Sequence, residues 1–491
     1  MRQSGILMHI TSLPGPYGIG SLGAAAYDFV DFLKAAGQSC WQILPVNPTG
    51  YGDSPYSAFS SVAGNPYLID LGQLIDEGLL LRQEVESVDW GRDETRVDFG
   101  LLYQNRIKVL RLAYERFQPD RDYEWFVLRN QDWLPDYALF MAAKEHYNGS
   151  GWLSWPTGLM MHLPHAVEYF HEALKAEVSF HCFLQFLFSR QWKALRGYAK
   201  AQGIRIIGDV PIYVPLDSAD VWSNPQLFQL GKDRRPKLVA GCPPDSFSAD
   251  GQLWGNPLYD WEYMKTTGYE WWIARLKAAS AMYDVVRLDH FRGFESYWAV
   301  PAGEETARGG QWLPGPGMDF IQSIQKALPE LDFIAEDLGY VTDEVRNLQL
   351  SSGYPGMKVL EFAFDSRESG DYTPYRYPIN SVCYTGTHDN ETLKQWLTAA
   401  DWADVTEARD YLGLNEQEGY VWGMIRGAMG SVSKLCMVQM QDYLELGGEA
   451  RMNFPGTVSS NNWTWRAKPG FDSPELAEKI ASVTALYGRS R

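Results

Sequence analysis

Short apolar runs alternate with helix-like segments along most of the chain, and this alternation constrains the fold more than any other feature. The runs lie at 6–10, 40–44, 204–208, 285–288, 297–300, 333–335, 359–364 and 382–384, and they end in polar residues. Amphipathic segments such as 24–36 separate several of them. Strands that alternate with helices indicate a parallel sheet, and eight repeats favour a closed (β/α)8 barrel of the TIM type.

The spacing of these runs is uneven and predicts two insertions. About 160 residues separate the second and third runs and about 75 the third and fourth, whereas one repeat needs only ~30. We expect a mostly helical subdomain at 51–200, with helices near 101–117, 137–147 and 166–199. A second insertion at 212–280 contains the aromatic loop 243–257. The chain 1–491 is thus interpreted as one barrel with insertions after its second and third strands, closed by helices after residue 390.

A glycine-rich loop follows the first run, and its letters match a dinucleotide-binding fingerprint: Gly18-Ile19-Gly20-Ser21-Leu22-Gly23. In a true dinucleotide loop the first glycine directly follows the strand, and an acidic residue ends the next strand. Here Pro14 and Pro16 precede Gly18, and the second strand leads into Asn47 without an Asp or Glu. We therefore interpret the glycines as shaping a loop and a helix start.

Charge and cysteine usage exclude several classes of partner. The formal net charge of −18 repels nucleic acid and acidic membranes. The five cysteines are far apart and lack CxxC spacing, so neither a disulfide framework nor a zinc site is predicted. The N-terminus does not resemble a signal peptide, and no run reaches the ~18 apolar residues of a membrane span. These features are typical of a cytoplasmic protein.

Aromatic residues make up 14% of the chain, and many lie in loop-like stretches rich in Gly, Pro and Asn, such as 50–67 and 243–259. Each ring taken singly has a simple structural explanation, since loops pack on a scaffold through aromatic side chains. Flat rings also stack on the apolar faces of sugars while neighbouring polar groups bind hydroxyls. Together they favour a carbohydrate ligand.

Acidic residues follow several of the predicted strands, where side chains at the carboxyl ends of a barrel converge on one pocket. The four are Asp209, Asp289, Glu336 and Asp389. An Asp after a strand is often the N-cap of the next helix, and ion pairing with Arg287 or Arg292 is the other structural explanation. Four acids at corresponding strand ends are harder to explain as caps.

Carboxylates beside sugar-stacking rings predict glycoside chemistry, which needs one protonated acid and one ionised carboxylate. Alternation along a strand places Arg287 and Asp289 on one side, so the guanidinium favours an ionised, nucleophilic Asp289. Glu336 follows an apolar run and faces other carboxylates, and both effects favour its protonated form and general acid/base work. Asp337 is expected on the opposite side of its strand, in a capping role.

Seven segments together resemble the amylomaltases, the 4-α-glucanotransferases or disproportionating enzymes related to α-amylases. They are His9-Ile10-Thr11-Ser12-Leu13-Pro14-Gly15-Pro16-Tyr17-Gly18-Ile19-Gly20, Gly52-Asp53-Ser54-Pro55-Tyr56, Gly208-Asp209-Val210-Pro211, Gln252-Leu253-Trp254-Gly255-Asn256-Pro257, Arg287-Leu288-Asp289-His290-Phe291-Arg292-Gly293, Ala335-Glu336-Asp337-Leu338-Gly339 and Gly386-Thr387-His388-Asp389-Asn390. The resemblance extends in order from about residue 5 to Asn453-Phe454-Pro455-Gly456-Thr457, nearly the whole chain.

The resemblance implies a role for each matching position. It implies Asp289 as nucleophile, Glu336 as general acid/base and Asp389 as a third carboxylate that holds sugar hydroxyls. Further substrate contacts are implied for Arg287, His388, Asp209, Tyr56, Ser54, Trp254, Gln252, Phe247 and Asn453. Tyr51 is either part of a second glucan contact or a loop-packing residue. No metal or organic cofactor is implied.

One position departs from the family pattern. The segment Pro243-Pro244-Asp245-Ser246-Phe247-Ser248 resembles the loop that covers the family's cleft, but many relatives have an aromatic residue where this chain has Ser246. Phe247 is retained. The departure predicts a difference in acceptor preference or in the size of cyclic products rather than in the core chemistry.

The implied reaction is a retaining double displacement that moves a segment of an α-1,4-glucan to the 4-hydroxyl of another glucan or of glucose. The two carboxyl groups are then expected about 5–5.5 Å apart. An α-amylase-like hydrolase with the same carboxylates is the alternative, because sequence alone does not show whether water or sugar resolves the intermediate. A catalytically silent glucan-binding scaffold is the third reading. A monomer or small homo-oligomer is expected.

Overall fold

The computed structural model describes residues 2–50, 52–244, 248–365 and 372–490. In these ranges it contains twelve strands: β1 (Gln3–Leu7), β2 (Cys40–Gln42), β3 (Arg205–Val210), β4 (Leu238–Cys242), β5 (Gln252–Pro257), β6 (Val285–Leu288), β7 (Ser296–Pro301), β8 (Gln311–Pro314), β9 (Asp332–Ala335), β10 (Gly356–Val359), β11 (Ser381–Tyr384) and β12 (Leu435–Gln439).

Eight of these strands close into a parallel barrel in the order β1, β2, β3, β6, β9, β10, β11, β12 and back to β1. All four residues of β6 and of β11 are buried, as expected for strands covered on both faces. The predicted (β/α)8 barrel is therefore confirmed. Its carboxyl ends form one rim, where the predicted site residues Asp209, Asp289 and Glu336 lie.

The predicted fifth barrel strand at 297–300 is wrong. These residues belong to β7, which pairs antiparallel with β4 and β8 in a separate sheet of order β5, β4, β7, β8. Buried Tyr297 and Ala299 alternate with half-buried Trp298, which is the pattern of a strand covered on one face only. Its burial therefore differs from that of the fully buried barrel strand β6, although residues 297–300 are all apolar and give no sign of this difference in the sequence.

The eighth barrel strand is β12, which lies in the region predicted to be entirely helical. Its sequence, Leu-Cys-Met-Val-Gln, contains a single β-branched residue and has no strong strand propensity. Its place between β11 and β1 decides its conformation. The predicted run at 359–364 is also displaced, because β10 ends at Val359 and the chain then forms a short 3-10 helix, Leu360–Ala363.

The described helices fill the connections between the strands. They are α1 (Ala24–Ala35), α2 (Leu71–Asp76), α3 (Arg82–Glu86), α4 (Phe99–Arg116), α5 (Arg121–Arg129), α6 (Leu134–His146), α7 (Thr157–Met160), α8 (Pro164–Ala173), α9 (Lys175–Ala201), α10 (Ala219–Ser223), α11 (Trp261–Thr266), α12 (Glu270–Met282), α13 (Gly317–Ala327), α14 (Asp343–Ser352), α15 (Leu393–Ala399), α16 (Trp402–Leu412), α17 (Tyr420–Gly430), α18 (Met440–Tyr443) and α19 (Pro474–Leu486).

Helices α2 to α9 all lie between β2 and β3, where sequence spacing predicts a mostly helical insertion. The long helix α9 packs against α4, α5 and α6 and also against α1 and β3, so it links the inserted helices to the barrel. The predicted helix at 166–199 is in fact two helices, because the chain turns at Leu174 between α8 and α9. None of the helices in the described ranges is long and apolar enough to cross a membrane.

The glycine-rich loop after β1 is a compact connection that leads into α1. A side chain at Gly20 would collide with the Ile10 carbonyl, and Gly18 has a left-handed φ of 77°. Gly23 is the N-cap residue of α1. The glycines therefore form a loop and a helix start, as interpreted from the sequence.

Candidate active site

Four acidic residues lie at the carboxyl ends of barrel strands. Asp209 is the penultimate residue of β3, whereas Asp289 and Glu336 directly follow β6 and β9. Asp389 lies five residues beyond the end of β11. Because β3, β6 and β9 are neighbours in the barrel, their ends bring three of the acids together from distant parts of the chain.

Arg287 connects two of these acids. Its Nη1 atom donates to Asp209 Oδ2 at 2.6 Å and to Asp289 Oδ1 at 2.8 Å. Burial alone would lower the pKa of Arg287, but the two carboxylates raise it well above its ordinary value. The guanidinium is therefore cationic and pairs with the Asp289 side chain, which stays partly exposed, at 26%.

Asp209 lies beneath this pair and is almost completely buried. Burial raises its pKa, while Arg287 acts in the opposite direction. Tyr56 donates its hydroxyl to Asp209 Oδ2 at 2.7 Å. The contacts at Oδ2 fix the positions of both the Arg287 guanidinium and the Tyr56 ring.

Glu336 lies in a different environment from Asp289. Its Oε2 accepts a hydrogen bond from the His290 backbone N–H at 2.7 Å, and its Oε1 accepts one from Leu338 N–H at 2.8 Å. Burial raises the Glu336 pKa to about 7, and Asp289 adds to the rise, although Arg287 opposes it. The site therefore offers a carboxyl group that gains and loses a proton near neutral pH next to a second carboxyl group that is ion-paired with Arg287.

His290 supplies one of these backbone donors because it adopts a left-handed conformation with φ of 51°. Its ring lies perpendicular to the Trp254 ring, with centroids 4.8 Å apart. Trp254 projects from β5 and is 37% exposed, and its indole N–H donates to Gln252 Oε1 at 3.2 Å. The exposed ring is thus held against the segment that carries Asp289.

Asp389 is the most exposed of the four acids, at 45%. Asn453 Nδ2 donates to its Oδ1 at 2.6 Å, and His388 Nε2 lies 3.4 Å from its Oδ2. The His388 ring stacks on Tyr56, with centroids 5.1 Å apart and an interplanar angle of 17°. Tyr56 thereby connects the Asp389 loop to Asp209.

Of the five predicted residues not yet discussed, the structure describes two, Ser54 and Asp337. Ser54 Oγ accepts a hydrogen bond from Tyr56 N–H at 3.2 Å, so it shapes the turn that presents Tyr56. Asp337 accepts a hydrogen bond from Met357 N–H at 2.6 Å and so binds the neighbouring strand rather than capping a helix. Tyr51, Ser246 and Phe247 lie outside the described residues.

Sequence reasoning did not identify Arg451, which supports the Asp389 loop. Its Nη2 donates to the Asp389 carbonyl at 2.8 Å and its Nε to the Asn453 carbonyl at 2.9 Å. Glu391 lies 3.4 Å from the guanidinium. Arg451 stands two residues before the predicted Asn453, but no local sequence pattern indicates its contact with Asp389.

Sequence reasoning also did not identify His9, a buried histidine near the site. Its Nδ1 accepts a hydrogen bond from Leu44 N–H at 3.2 Å. Burial, with a smaller contribution from His388, lowers the pKa of His9 to about 3. The ring is therefore neutral at physiological pH and acts as an acceptor.

Replacing Asn453 with Ala is expected to lower kcat/KM about tenfold, because Asp389 loses a charge-assisted hydrogen bond in a partly exposed setting. Steady-state kinetics on maltotriose measure the loss. Asn461→Ala, which alters an exposed amide in the same segment, is the matched control and should remain near the wild-type value. An Asn453→Ala variant within twofold of wild type would show that Asp389 does not depend on this contact.

No group of three or more His, Cys, Asp or Glu side chains in the described part of the chain is arranged to hold a metal ion. A carboxylate paired with a cation, next to a carboxyl group whose raised pKa lets it carry a proton, is the combination with which most glycosidases cleave a glycosidic bond.

Comparison with known proteins points to one family. The sequence profile described as 4-alpha-glucanotransferase matches residues 8–472. A protein of Clostridium butyricum named 4-alpha-glucanotransferase is 47% identical over 486 residues, covering 98% of this chain and 100% of the relative. One of Thermus thermophilus with the same name is 46% identical over 501 residues, covering 99% of both chains.

A solved structure agrees with these matches. The structure described as amylomaltase from Streptococcus agalactiae in complex with acarbose superposes with a TM-score of 0.97 at 38% identity, and the match covers 100% of each chain. The agreement extends over the barrel, the second sheet and the inserted helices alike.

Proposed function

The chain belongs to the 4-alpha-glucanotransferase family, and from this premise we propose which of its residues carry out the transfer. It is an enzyme that acts on α-1,4-glucans and moves part of one glucan chain to an acceptor. The alternative reading as an α-amylase-like hydrolase is not favoured by the names of its relatives. The observation that carries the residue assignment is the position of Arg287 between two carboxylates, next to buried Glu336.

In the first step, Asp289 attacks the anomeric carbon while Glu336 protonates the departing glycosidic oxygen. The bond from the anomeric carbon to that oxygen breaks, a bond to Asp289 forms, and the reducing-end fragment leaves with the proton. The Arg287 guanidinium stabilises the negative charge of the Asp289 carboxylate before attack. We assign Asp389, held by Asn453, to hydroxyl groups of the reacting glucosyl unit.

In the second step, Glu336 is ionised and acts as a base. It removes the proton from the 4-hydroxyl of an incoming glucan or glucose, and that oxygen displaces Asp289 from the anomeric carbon. A pKa of about 7 suits both roles, because neither protonation state is strongly disfavoured at neutral pH. Inversion at each step returns the α configuration.

Several residues are proposed to bind the glucan rather than to react with it. Tyr56 and Trp254 offer ring faces, and His388 and Gln252 offer hydrogen-bonding groups near them. The acarbose complex of the Streptococcus agalactiae relative supports a cleft that holds an oligosaccharide. Transfer prevails over hydrolysis only if the acceptor excludes water from the covalent intermediate. We propose that β5, which carries Trp254, narrows the access of water to this intermediate.

We further propose that the enzyme works in the cytoplasm, on maltooligosaccharides or storage glucans, with glucose as the smallest acceptor. The names of the relatives support the glucan substrates, and five scattered cysteines without CxxC spacing support a reducing compartment. We also propose that the protein is a monomer or a small homo-oligomer.

Incubation with maltotriose tests the proposed function. Transfer of a maltosyl unit yields glucose and maltopentaose, repeated transfer yields longer oligomers, and the total of reducing ends stays constant. Hydrolysis yields glucose and maltose with a rising total of reducing ends. A product pattern of the second kind would contradict transferase activity.

The pH dependence of the reaction is expected to follow Glu336. Burial raises its pKa to about 7 from an ordinary 4.5, so the acid form needed for cleavage is lost as the pH rises through 7. Above that point kcat/KM for maltotriose should fall about tenfold per pH unit. A profile that stays flat from neutral pH to about pH 9 would show that Glu336 is not the acid.

Folding must be monitored in the same experiment because the Glu336 pKa is raised in the folded state. A folded pKa above the unfolded value of 4.5 means that the free energy of unfolding falls as the pH rises from 4.5 to about 7. Circular dichroism at each pH separates loss of fold from loss of the catalytic acid.

A further inference from the structure

Three aromatic side chains form a surface beside Glu336 that the reaction described above does not use. Trp298 on β7 and Trp312 on β8 are register partners, so they lie on one face of the second sheet. Tyr340 follows β9 and lies parallel to Trp312, with ring centroids 6.2 Å apart and an interplanar angle of 18°. We call Trp298, Trp312 and Tyr340 the aromatic platform. Tyr340 is 63% exposed, and both tryptophans are half-buried.

A buried cation fixes the arrangement. The Arg292 guanidinium lies 3.7 Å from the centroid of the Trp312 ring and 5.7 Å from that of Tyr340. Its Nη1 donates to the Tyr340 carbonyl at 2.5 Å and its Nη2 to Ser296 Oγ at 2.9 Å. Arg292 is 3% exposed, so its charge is used inside the protein and is not presented to a ligand.

The aromatic platform is joined directly to the catalytic carboxyl group. Leu338, two residues before Tyr340, donates its backbone N–H to Glu336 Oε1, and His290, two residues before Arg292, donates to Oε2. The two segments therefore hold Glu336 from both sides and meet again at the hydrogen bond between Arg292 and Tyr340. The platform cannot shift far without moving Glu336.

The chemistry of this surface selects a neutral, ring-shaped ligand. A single exposed aromatic side chain needs no explanation, but here a buried arginine holds a group of three rings in place. Tyr340 is parallel to Trp312, and Trp298 meets Trp312 edge-on, with centroids 5.1 Å apart and an interplanar angle of 66°, so the rings form a rigid, stepped apolar surface whose most exposed part is the Tyr340 ring. The Trp298 indole N–H already donates to the Ala307 carbonyl at 2.8 Å, so that ring offers apolar surface without an unpaired donor. The apolar faces of glucosyl units fit such a surface.

We propose that the aromatic platform binds glucosyl units of the glucan on the leaving-group side of the cleaved bond. The proposal rests on the role assigned above to Glu336. Because Glu336 protonates the departing oxygen, the segments that extend outward from it face the fragment that leaves and, in the second step, the acceptor that enters. The platform thus favours long chains as donors and acceptors.

Chain-length dependence in a Tyr340→Ala variant tests the proposal. We measure kcat/KM for maltotriose and for maltoheptaose by chromatography and compare their ratio with that of the wild type. Loss of one stacking ring should lower the ratio of maltoheptaose to maltotriose about five- to tenfold. Tyr340→Phe keeps the ring and should keep the ratio within twofold of wild type, as should Tyr103→Ala, which removes an exposed tyrosine on α4.

Two results would overturn the proposal. An unchanged ratio in Tyr340→Ala would show that the ring does not contact the glucan. Equal losses on both donors would show that the substitution disturbs Glu336 rather than a binding surface. Failure of the proposed function is seen separately, because the wild-type enzyme would then form no longer oligomers from maltotriose.

Discussion

Replacing Asp289 with Asn is expected to lower kcat for transfer by about four orders of magnitude. The amide is not nucleophilic and cannot form the covalent intermediate, whereas Arg287 keeps its contact with Asp209 and the surrounding structure is retained. The measurement is the rate of glucose release from maltotriose. Calorimetry with the same sugar should show that binding persists, because the remaining site residues are unchanged.

Asp343→Asn is the matched control for this variant. It makes the same chemical change at an exposed position on α14 and should keep wild-type activity. An Asp289→Asn variant that retains more than about a tenth of wild-type kcat would show that another group is the nucleophile.

Replacing Glu336 with Gln is expected to lower kcat/KM on maltotriose by about 10²- to 10⁴-fold, because the departing oxygen no longer receives a proton. A donor with a fluoride leaving group, such as α-maltosyl fluoride, needs no protonation. The variant should therefore lose much less activity in cleaving this donor than in cleaving maltotriose. Comparing the two losses identifies the missing step.

Glu344→Gln, an exposed change on α14, is the control and should leave both rates near wild type. Equal losses on maltotriose and on α-maltosyl fluoride would contradict the role of Glu336 as the acid. They would indicate instead that the substitution disturbs the hydrogen bonds with His290 and Leu338.

Much of the barrel could be predicted from the sequence because buried parallel strands are short apolar runs. Strands could not be assigned correctly where the local sequence pattern is weak or ambiguous. Trp298 and its neighbours form a strand, but one in the second sheet, and because residues 297–300 are all apolar, no local pattern distinguishes them from a barrel strand. The strand β12 has little strand propensity of its own and is recognised only through its pairing with β1 and β11.

The positions of the carboxylates that we assign to catalysis could be predicted for a related reason. In a barrel, residues directly after a strand lie on the rim, so position along the chain is sufficient to place Asp289 and Glu336. The residues that hold these acids in place are different. Arg451 reaches Asp389 from 62 positions further along the chain, and no local pattern indicates such a contact.

The raised pKa of Glu336 depends on surroundings that the sequence shows only in part. Apolar neighbours of Glu336 suggested a protonated carboxyl group, and burial is indeed the main cause of its raised pKa. The backbone donors from His290 and Leu338 favour the ionised form and limit that rise. They depend on the left-handed turn at His290, which no sequence pattern predicted.

Trapping the glycosyl-enzyme tests the assignment of the nucleophile most directly. The enzyme is incubated with a maltosyl fluoride that carries a second fluorine on its reacting ring to slow the second step, then digested and analysed by mass spectrometry. We predict that the sugar is attached to the peptide containing Asp289, at that side chain. Attachment to Asp209, Glu336 or Asp389, or turnover without any covalent adduct, would contradict the mechanism.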